Sequence, residues 1–194
     1  MKILQLRQIN KKYFNLRQLA NALKISVPSA RVLASRYVKN GILIRIKRDL
    51  YILSEQWDFL SLEEKFQLAN LIQTPSYVSL LTALSYYEIS TQIQQEFIES
   101  VAIKRTKQVE VNNSIFNFSK LKNELYFGFV RKQGFFIAEP EKALLDAFYL
   151  MSLQKYTLDV DTIDFEKIDT DKMKMFSSKF PAFVKKLINY YELT

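Results

Sequence analysis

The sequence contains no cysteine, no histidine and only three glycines among its 194 residues. Without cysteine there is neither a disulfide framework nor a thiol nucleophile. Without histidine there is no Ser–His catalysis, no imidazole metal ligand and no general base of the commonest kind at neutral pH. The positions of Gly41, Gly128 and Gly134 fit neither of the glycine-rich phosphate loops GxGxxG and GxxxxGK[ST]. These absences exclude many enzyme classes and two routes of nucleotide binding.

Long apolar runs are also missing, and none approaches the roughly 18 residues that a membrane span needs. The opening stretch MKILQLRQINKKY carries charges where a secretory signal has an unbroken apolar segment. The hydrophobic fraction of 48% and the charged fraction of 25% are ordinary for globular proteins. We therefore expect a cytoplasmic protein with no membrane partner.

Positive charge is concentrated at one end of the chain. Residues 1–53 contain 12 basic residues and one acidic residue, Asp49, which gives a net charge of +11. Residues 54–194 contain 16 basic and 19 acidic residues, a net charge of −3. Attraction to a polyanion follows local charge, so this asymmetry favours nucleic-acid binding by the first segment. A basic, merely solvated surface is the alternative that charge alone leaves open.

Apolar spacing predicts helices in the first 40 residues. Leu6, Ile9 and Tyr13 indicate the first helix, and Asn15 is a plausible N-cap for a second over residues 16–23.

A third helix is predicted after a turn at Lys24 and Ile25. Ser26 caps it, Pro28 lies in its first turn, and Gly41 follows its end. One face is apolar or small and is predicted to be core: Val27, Ala30, Leu33, Ala34, Tyr37 and Val38. The opposite face has three cations, two hydroxyls and no acid: Pro28, Ser29, Arg31, Val32, Ser35, Arg36 and Lys39. This composition suits phosphates and base edges in a major groove.

The segment ILIRIKRDLYIL predicts a β-hairpin with a basic tip. Ile42, Ile44 and Ile46 are expected to face the core, a turn follows at residues 48–49, and a return strand spans residues 50–53. Helices followed by such a hairpin form a winged helix-turn-helix, which reads duplex DNA. The predicted DNA-binding residues are Ser26, Pro28, Ser29, Arg31, Val32, Ser35, Arg36, Lys39, Arg45, Lys47 and Arg48. Some winged helices bind proteins instead of DNA, and this alternative stays open. Proteins that bind single-stranded RNA stack its bases on aromatic side chains, and residues 1–53 contain few of these, so duplex DNA is favoured.

The remainder of the chain predicts an α+β fold. Composition changes near residues 54–60, so we expect a DNA-binding domain at 1–57 and a mixed C-terminal domain at 58–194. Helices are predicted over SLEEKFQLANLI, PSYVSLLTALSYYEI, EPEKALLDAFYL, TDKMKMFSSKF and PAFVKKLINYYEL. Short β-rich runs lie between the second and third of these helices. They predict a small, mainly antiparallel sheet flanked by helices.

Carboxylates in the second part leave a catalytic alternative. Asp159 and Asp161 have the D-x-D spacing that can hold a divalent cation in a nucleotidyltransferase. The Gly-Ser turn that accompanies such a site is missing, and the same spacing is routine in a solvated loop. We expect no enzyme activity, no cofactor and no metal.

Three stretches in this order resemble the AbiEi family of antitoxins from type IV toxin–antitoxin (abortive infection) systems, and related standalone regulators. They are FNLRQLANALKIS with ARVLASRYVKNGILIRIKRDLYIL, then TPSYVSLLTALSYYEI, then IAEPEKALLDAFYL. The resemblance covers the chain to about residue 150.

This resemblance implies a repressor that binds inverted repeats of double-stranded DNA in its own promoter, with paired copies on the DNA. It also implies that the C-terminal domain counters a nucleotidyltransferase toxin. The family commonly has glycine at the wing turn, as in KRGLY, where this chain has Asp49. An acid beside Lys47 and Arg48 weakens the positive field, so the resemblance alone does not assign a phosphate contact to the wing tip.

Overall fold

The computed structural model describes residues 5–7, 9 and 11–191. The chain divides into two compact units, Met1–Ser61 and Leu62–Thr194. Each has its own secondary structure, and together they form the α+β fold that the sequence predicts.

Over the described residues from 11 onward, the first unit has two helices followed by a hairpin and a single helical turn, and residues 5–6 are also helical. Its elements are α1 (Leu16–Leu23), α2 (Val27–Lys39), β1 (Leu43–Lys47), β2 (Leu50–Leu53) and α3 (Ser54–Trp57). The strands β1 and β2 pair antiparallel and form the wing.

The ends of α1 and α2 follow from local hydrogen bonds. Asn15 and Gln18 form a reciprocal capping box at the start of α1. Lys24 adopts φ 51° and ends that helix, and the hydroxyl of Ser26 accepts the N–H of Ser29 to start α2. Gly41, with φ 69°, follows the end of α2. These predictions of caps and turns are confirmed.

The core of the first unit is built around the small residues of α2. Ala30 and Ala34 are fully buried, and Leu33, Tyr37 and Val38 are partly buried against the same cluster. The prediction that Val27 belongs to this core is wrong. Val27 lies in the first helical turn, outside the buried cluster, and its side chain is 38% exposed.

The wing differs from the predicted simple alternation. Arg45 pairs with Tyr51 and Lys47 with Leu50, so Ile46 is an extra residue in a β-bulge. The bulge interrupts the alternation of side chains between the two faces of β1. Leu43 and Ile46 are therefore buried, while Ile42 and Ile44 are only partly buried. The expectation that Ile42, Ile44 and Ile46 face the core is therefore wrong for Ile44, whereas Ile46 is buried and Ile42 packs, partly buried, against the core of the first unit.

The helix predicted around Leu6, Ile9 and Tyr13 lies partly outside the described residues, since positions 8 and 10 are not described. Leu6 is buried in the core of the first unit, and Tyr13 lies in a bend rather than a helix.

The second unit is a six-stranded mixed sheet with helices. Its strands are β3 (Ser76–Val78), β4 (Phe97–Ala102), β5 (Lys107–Val111), β6 (Ser114–Lys120), β7 (Phe129–Lys132) and β8 (Phe135–Ala138). Its helices are α4 (Leu62–Ile72), α5 (Leu80–Tyr86), α6 (Pro140–Ser152), α7 (Thr170–Ser177) and α8 (Ala182–Tyr190). The strand order is β5-β6-β4-β3-β8-β7, and three of the five neighbouring pairs are antiparallel.

The sequence over PSYVSLLTALSYYEI predicts one helix, but its first part is a strand. Residues Ser76–Val78 form β3, which lies between β4 and β8 in the sheet, and α5 begins only at Leu80. A short apolar run has the same appearance in a buried strand and in a buried helix turn, so periodicity alone does not separate them. No helix among the described residues is long and apolar enough to cross a membrane.

Candidate nucleic-acid interface

The exposed face of α2 has the composition that the sequence indicates. All eleven predicted DNA-binding residues of α2 and the wing are exposed: Ser26, Pro28, Ser29, Arg31, Val32, Ser35, Arg36, Lys39, Arg45, Lys47 and Arg48. Within α2, every residue of which is described, no acid lies in the first turn, whose free N–H groups favour an anion. The last turn carries Arg36 and Lys39. The structure therefore presents a cationic helix face to solvent.

A groove of about 600 Å³ lies between α2 and the wing. Four arginines from three elements line it: Arg17 of α1, Arg31 of α2, and Arg45 and Arg48 of the wing. Ser35 and Val27 also line it. We name this space the arginine groove. Within the described part of the chain, Arg17, Arg31, Arg45 and Arg48 form no salt bridge with a carboxylate.

Arg17 lines the groove but is not among the DNA-binding residues predicted from the sequence. It lies in the first turn of α1, on the exposed side opposite the buried Leu16, Leu19 and Leu23. Arg17 is included in the net charge of residues 1–53, but its position beside the wing arginines depends on the folded hairpin. Nothing in the local sequence distinguishes Arg17 from the other basic residues.

The other side of the exposed helix face borders a shallower depression of about 400 Å³. Ser29, Val32 and Arg36 line it together with Ile25 and Leu33. Val32 is 55% exposed, an apolar group in position to contact an apolar surface such as a thymine methyl. The four remaining predicted residues, Ser26, Pro28, Lys39 and Lys47, are exposed outside both concavities.

The acid at the wing tip has a structural partner. Asp49 adopts φ 60°, and its Oδ1 accepts a 2.8 Å hydrogen bond from the backbone N–H of Leu16, the first residue of α1. A carboxylate at a helix N-terminus is stabilised by the helix dipole and by an N–H group that lacks an intrahelical partner. Among the described residues that line the arginine groove, Asp49 is the one acid, and this hydrogen bond engages it.

One further arginine of the first unit is already paired. Arg7 donates two hydrogen bonds to Glu55, at 2.9 and 2.6 Å. These hydrogen bonds lower the pKa of the Glu55 carboxyl and raise the pKa of the Arg7 guanidinium. Arg7 therefore contributes less to the field around α2 than its charge suggests.

The second unit contains a buried polar cluster around α6. Lys142 and Asp146 form an ion pair with no exposed side-chain surface. Tyr77 and Ser79 each donate a 2.8 Å hydrogen bond to the second carboxylate oxygen of Asp146. Burial raises the pKa of Asp146 and lowers that of Lys142, and the attraction between the two opposes both shifts. The cluster is sealed from solvent and ties α6 to β3.

The carboxylates of the D-x-D pattern do not converge on a metal site. Asp159 and Asp161 belong to a short 3₁₀ turn and its N-cap, around Val160–Thr162, and both are exposed. Over the described ranges, 5–7, 9 and 11–191, no group of three or more carboxylates is arranged to hold a metal ion.

Comparison with known families gives a match over the first unit. Residues 1–54 match the sequence profile of the family described as "Transcriptional regulator, AbiEi antitoxin". The matched segment contains α1, α2, the wing and all eleven predicted DNA-binding residues. A comparison with curated protein sequences finds no significant match.

Proposed function

From the AbiEi-type regulator domain at residues 1–54, we propose that the protein is a DNA-binding transcriptional repressor that acts as the antitoxin of a type IV toxin–antitoxin system. Residues 1–57 bind double-stranded DNA, and residues 58–194 form the antitoxin domain. The supporting observation is the acid-free exposed face of α2 beside the arginine groove. The protein acts in the cytoplasm, where its promoter is accessible, and performs no catalysis.

The two parts of the DNA-binding surface have different roles. The exposed face of α2 enters the major groove, where Arg31 and Arg36 donate to base edges. Arg45, Lys47 and Arg48 of the wing contact the flanking phosphates, which position the protein without reading sequence. A net charge of +11 on the first 53 residues supplies long-range attraction to either part of the duplex.

Repression follows from binding inverted repeats in the protein's own promoter. Two copies bind the two half-sites, because one helix-turn-helix unit reads only one half-site. The half-site centres are therefore separated by about one turn of DNA, roughly 34 Å, or by a multiple of it. Occupancy of this site blocks transcription of the antitoxin and of the toxin gene beside it.

The second unit counteracts a nucleotidyltransferase toxin, with or without a lasting complex. A standalone regulator, or a protein-interaction module whose second unit binds a partner, is the second candidate. The observation that favours it is a set of exposed apolar side chains in residues 62–194: Ile93, Phe136, Met175, Phe183 and Tyr190.

Expression of the protein beside a reporter gene driven by its own promoter tests the repressor function. We expect repression by the parent protein and loss of repression by the Arg31→Ala, Arg36→Ala double variant at equal protein level. Unchanged reporter output with the parent protein would contradict the proposal.

Co-expression with a nucleotidyltransferase encoded in the neighbouring reading frame separates the two candidates. Rescue of growth by the full chain, with or without recovery of a stoichiometric complex, supports the antitoxin function. Recovery of a stoichiometric complex without rescue supports the interaction module.

A further inference from the structure

The hydrogen bond between Asp49 and Leu16 continues an existing strand pairing. Phe14 and Tyr51 form an antiparallel bridge, with reciprocal backbone hydrogen bonds of 3.0 and 2.9 Å. Two residues further along each segment, in the same antiparallel register, the side chain of Asp49 accepts the N–H of Leu16. The wing is therefore attached to the start of α1 at two successive points, and Asp49 is the point nearer its tip.

The attachment point lies next to two arginines of the groove. Arg48 immediately precedes Asp49 at the turn, and Arg17 immediately follows Leu16 in α1. Both line the arginine groove with Arg31 and Arg45. Holding Asp49 against Leu16 brings the two neighbouring arginines to one groove.

We propose that Asp49 is a positioning residue that fixes the wing tip to α1, so that Arg45 and Arg48 of the arginine groove contact phosphates of the DNA backbone, with Arg17 as an additional phosphate-binding residue. This inference rests on the proposed DNA-binding function. It assigns a role to the acid that replaces the glycine common at this turn in the family that the chain resembles.

The charge of Asp49 is opposed locally by the N-terminus of α1, so its repulsion of a phosphate is smaller than that of an unpartnered acid. The gain is preorganisation, because wing arginines held in place lose less conformational entropy on binding than wing arginines on a mobile tip. Asp49 therefore strengthens DNA binding by positioning the wing arginines and weakens it by repelling phosphates. We expect the strengthening effect to be the larger of the two.

Two substitutions separate these effects, because each removes the same negative charge. Asparagine and glycine both tolerate the positive φ of position 49, but only asparagine keeps an acceptor for the Leu16 N–H. If charge alone mattered, Asp49→Asn and Asp49→Gly would tighten DNA binding equally. We expect Asp49→Asn to bind the promoter duplex at least as tightly as the parent, and Asp49→Gly to bind it about fivefold more weakly.

Amide hydrogen exchange of the full chain without DNA gives an independent readout. The Leu16 amide keeps its protection in Asp49→Asn and loses it in Asp49→Gly, whereas the amides of Phe14 and Tyr51 keep theirs in both. Equal protection of Leu16 in the two variants, or equal tightening of DNA binding by both, overturns the positioning role.

Arg17→Ala tests the additional phosphate contact. We expect weaker binding of the promoter duplex and of a shuffled duplex by the same factor, and a slope of log affinity against log salt that is smaller by about 0.9. Lys11→Ala removes one exposed charge outside the groove and is the matched control. Equal effects of the two substitutions overturn the role of Arg17. If these variants do not behave as expected but the parent protein binds its promoter specifically, the proposed repressor function stands and this further inference does not. If the parent protein does not bind its promoter specifically, both the repressor function and this inference are contradicted.

Discussion

Arg31 and Arg36 lie on the same exposed face of α2 and line different concavities. Arg31 lines the arginine groove, and Arg36 lines the depression beside Ile25. Five residues of helix separate them by roughly 140° around the axis, so they form the two borders of the face. A duplex seated on this face would meet both guanidiniums, one on each side of the helix.

Replacing either border arginine is expected to relax sequence preference. Arg31→Ala or Arg36→Ala removes a proposed donor to base edges and is expected to cost about 1–3 kcal/mol of discrimination at one position of the half-site. Competition binding with single-position promoter variants measures this loss. If discrimination stays intact while all duplexes bind more weakly, these arginines contact phosphates instead.

Replacing the wing cations is expected to weaken all duplexes alike. Arg45→Ala or Lys47→Ala removes a cation that we propose contacts the DNA backbone, so promoter and shuffled duplexes are expected to lose affinity by the same factor. The salt slope falls by about 0.9 for each phosphate that the variant no longer neutralises. Fluorescence anisotropy at several salt concentrations gives both numbers. A loss confined to the promoter duplex would assign sequence reading to the wing.

Breaking the buried ion pair of α6 is expected to destabilise the second unit strongly. Lys142→Met leaves Asp146 buried without its cation, at a cost of about 3–5 kcal/mol in the free energy of unfolding. Combining Lys142→Met with Asp146→Leu removes the uncompensated charge and recovers part of this loss, because the buried hydroxyls of Tyr77 and Ser79 then lack their acceptor. Chemical denaturation of the parent, the single variant and the double variant measures the effect.

The exposed pair of Lys122 and Glu124, 3.6 Å apart, provides the control for that experiment. Lys122→Met is expected to change the free energy of unfolding by less than about 1 kcal/mol. Similar losses for Lys122→Met and Lys142→Met would contradict the structural role of the buried pair.

Glu99 gives the second unit a pH dependence near neutrality. Its side chain is buried and accepts a 3.1 Å hydrogen bond from Tyr156, and burial raises its pKa to about 7. The folded state therefore holds this proton more tightly than the unfolded state does. The resulting stability is fully present below the ordinary pKa of about 4.5 and is lost as the pH rises through about 7.

Glu99→Gln is expected to remove this loss, which amounts to about 3 kcal/mol between pH 4.5 and pH 7. Denaturation at a series of pH values should give a flatter stability profile for the variant than for the parent. Glu124→Gln, at an exposed position, serves as the control and leaves the profile unchanged. A parallel shift of the Glu99→Gln curve at every pH would show that Glu99 is not protonated preferentially in the folded state.

Features governed by neighbouring residues were predictable from the sequence. The N-cap at Asn15, the turn at Lys24 and the position of Gly41 each depend on hydrogen bonds or backbone angles within a few residues. The helical period likewise separates the buried Ala30 from the exposed Arg31 without knowledge of the rest of the fold.

Features that depend on distant pairing were not predictable. The bulge at Ile46 exists only in the register of β1 against β2, and it reverses the facing of the strand. The bond between Asp49 and Leu16 joins residues 33 positions apart. Periodicity assigns Lys142 and Asp146 to one side of α6 but gives no sign of their burial, because polar residues are ordinarily assigned to the surface.

Sequence-specific DNA binding is measured by anisotropy titrations of the promoter duplex and of a shuffled duplex of equal composition across salt concentrations. We expect the promoter to bind at least about 1,000-fold more tightly, and log affinity to fall by roughly 0.9 per phosphate contact for each tenfold rise in salt. The Arg31→Ala, Arg36→Ala double variant should bind the two duplexes with nearly equal affinity. Equal affinity of the parent protein for both duplexes, or weak binding at low salt, would contradict the account.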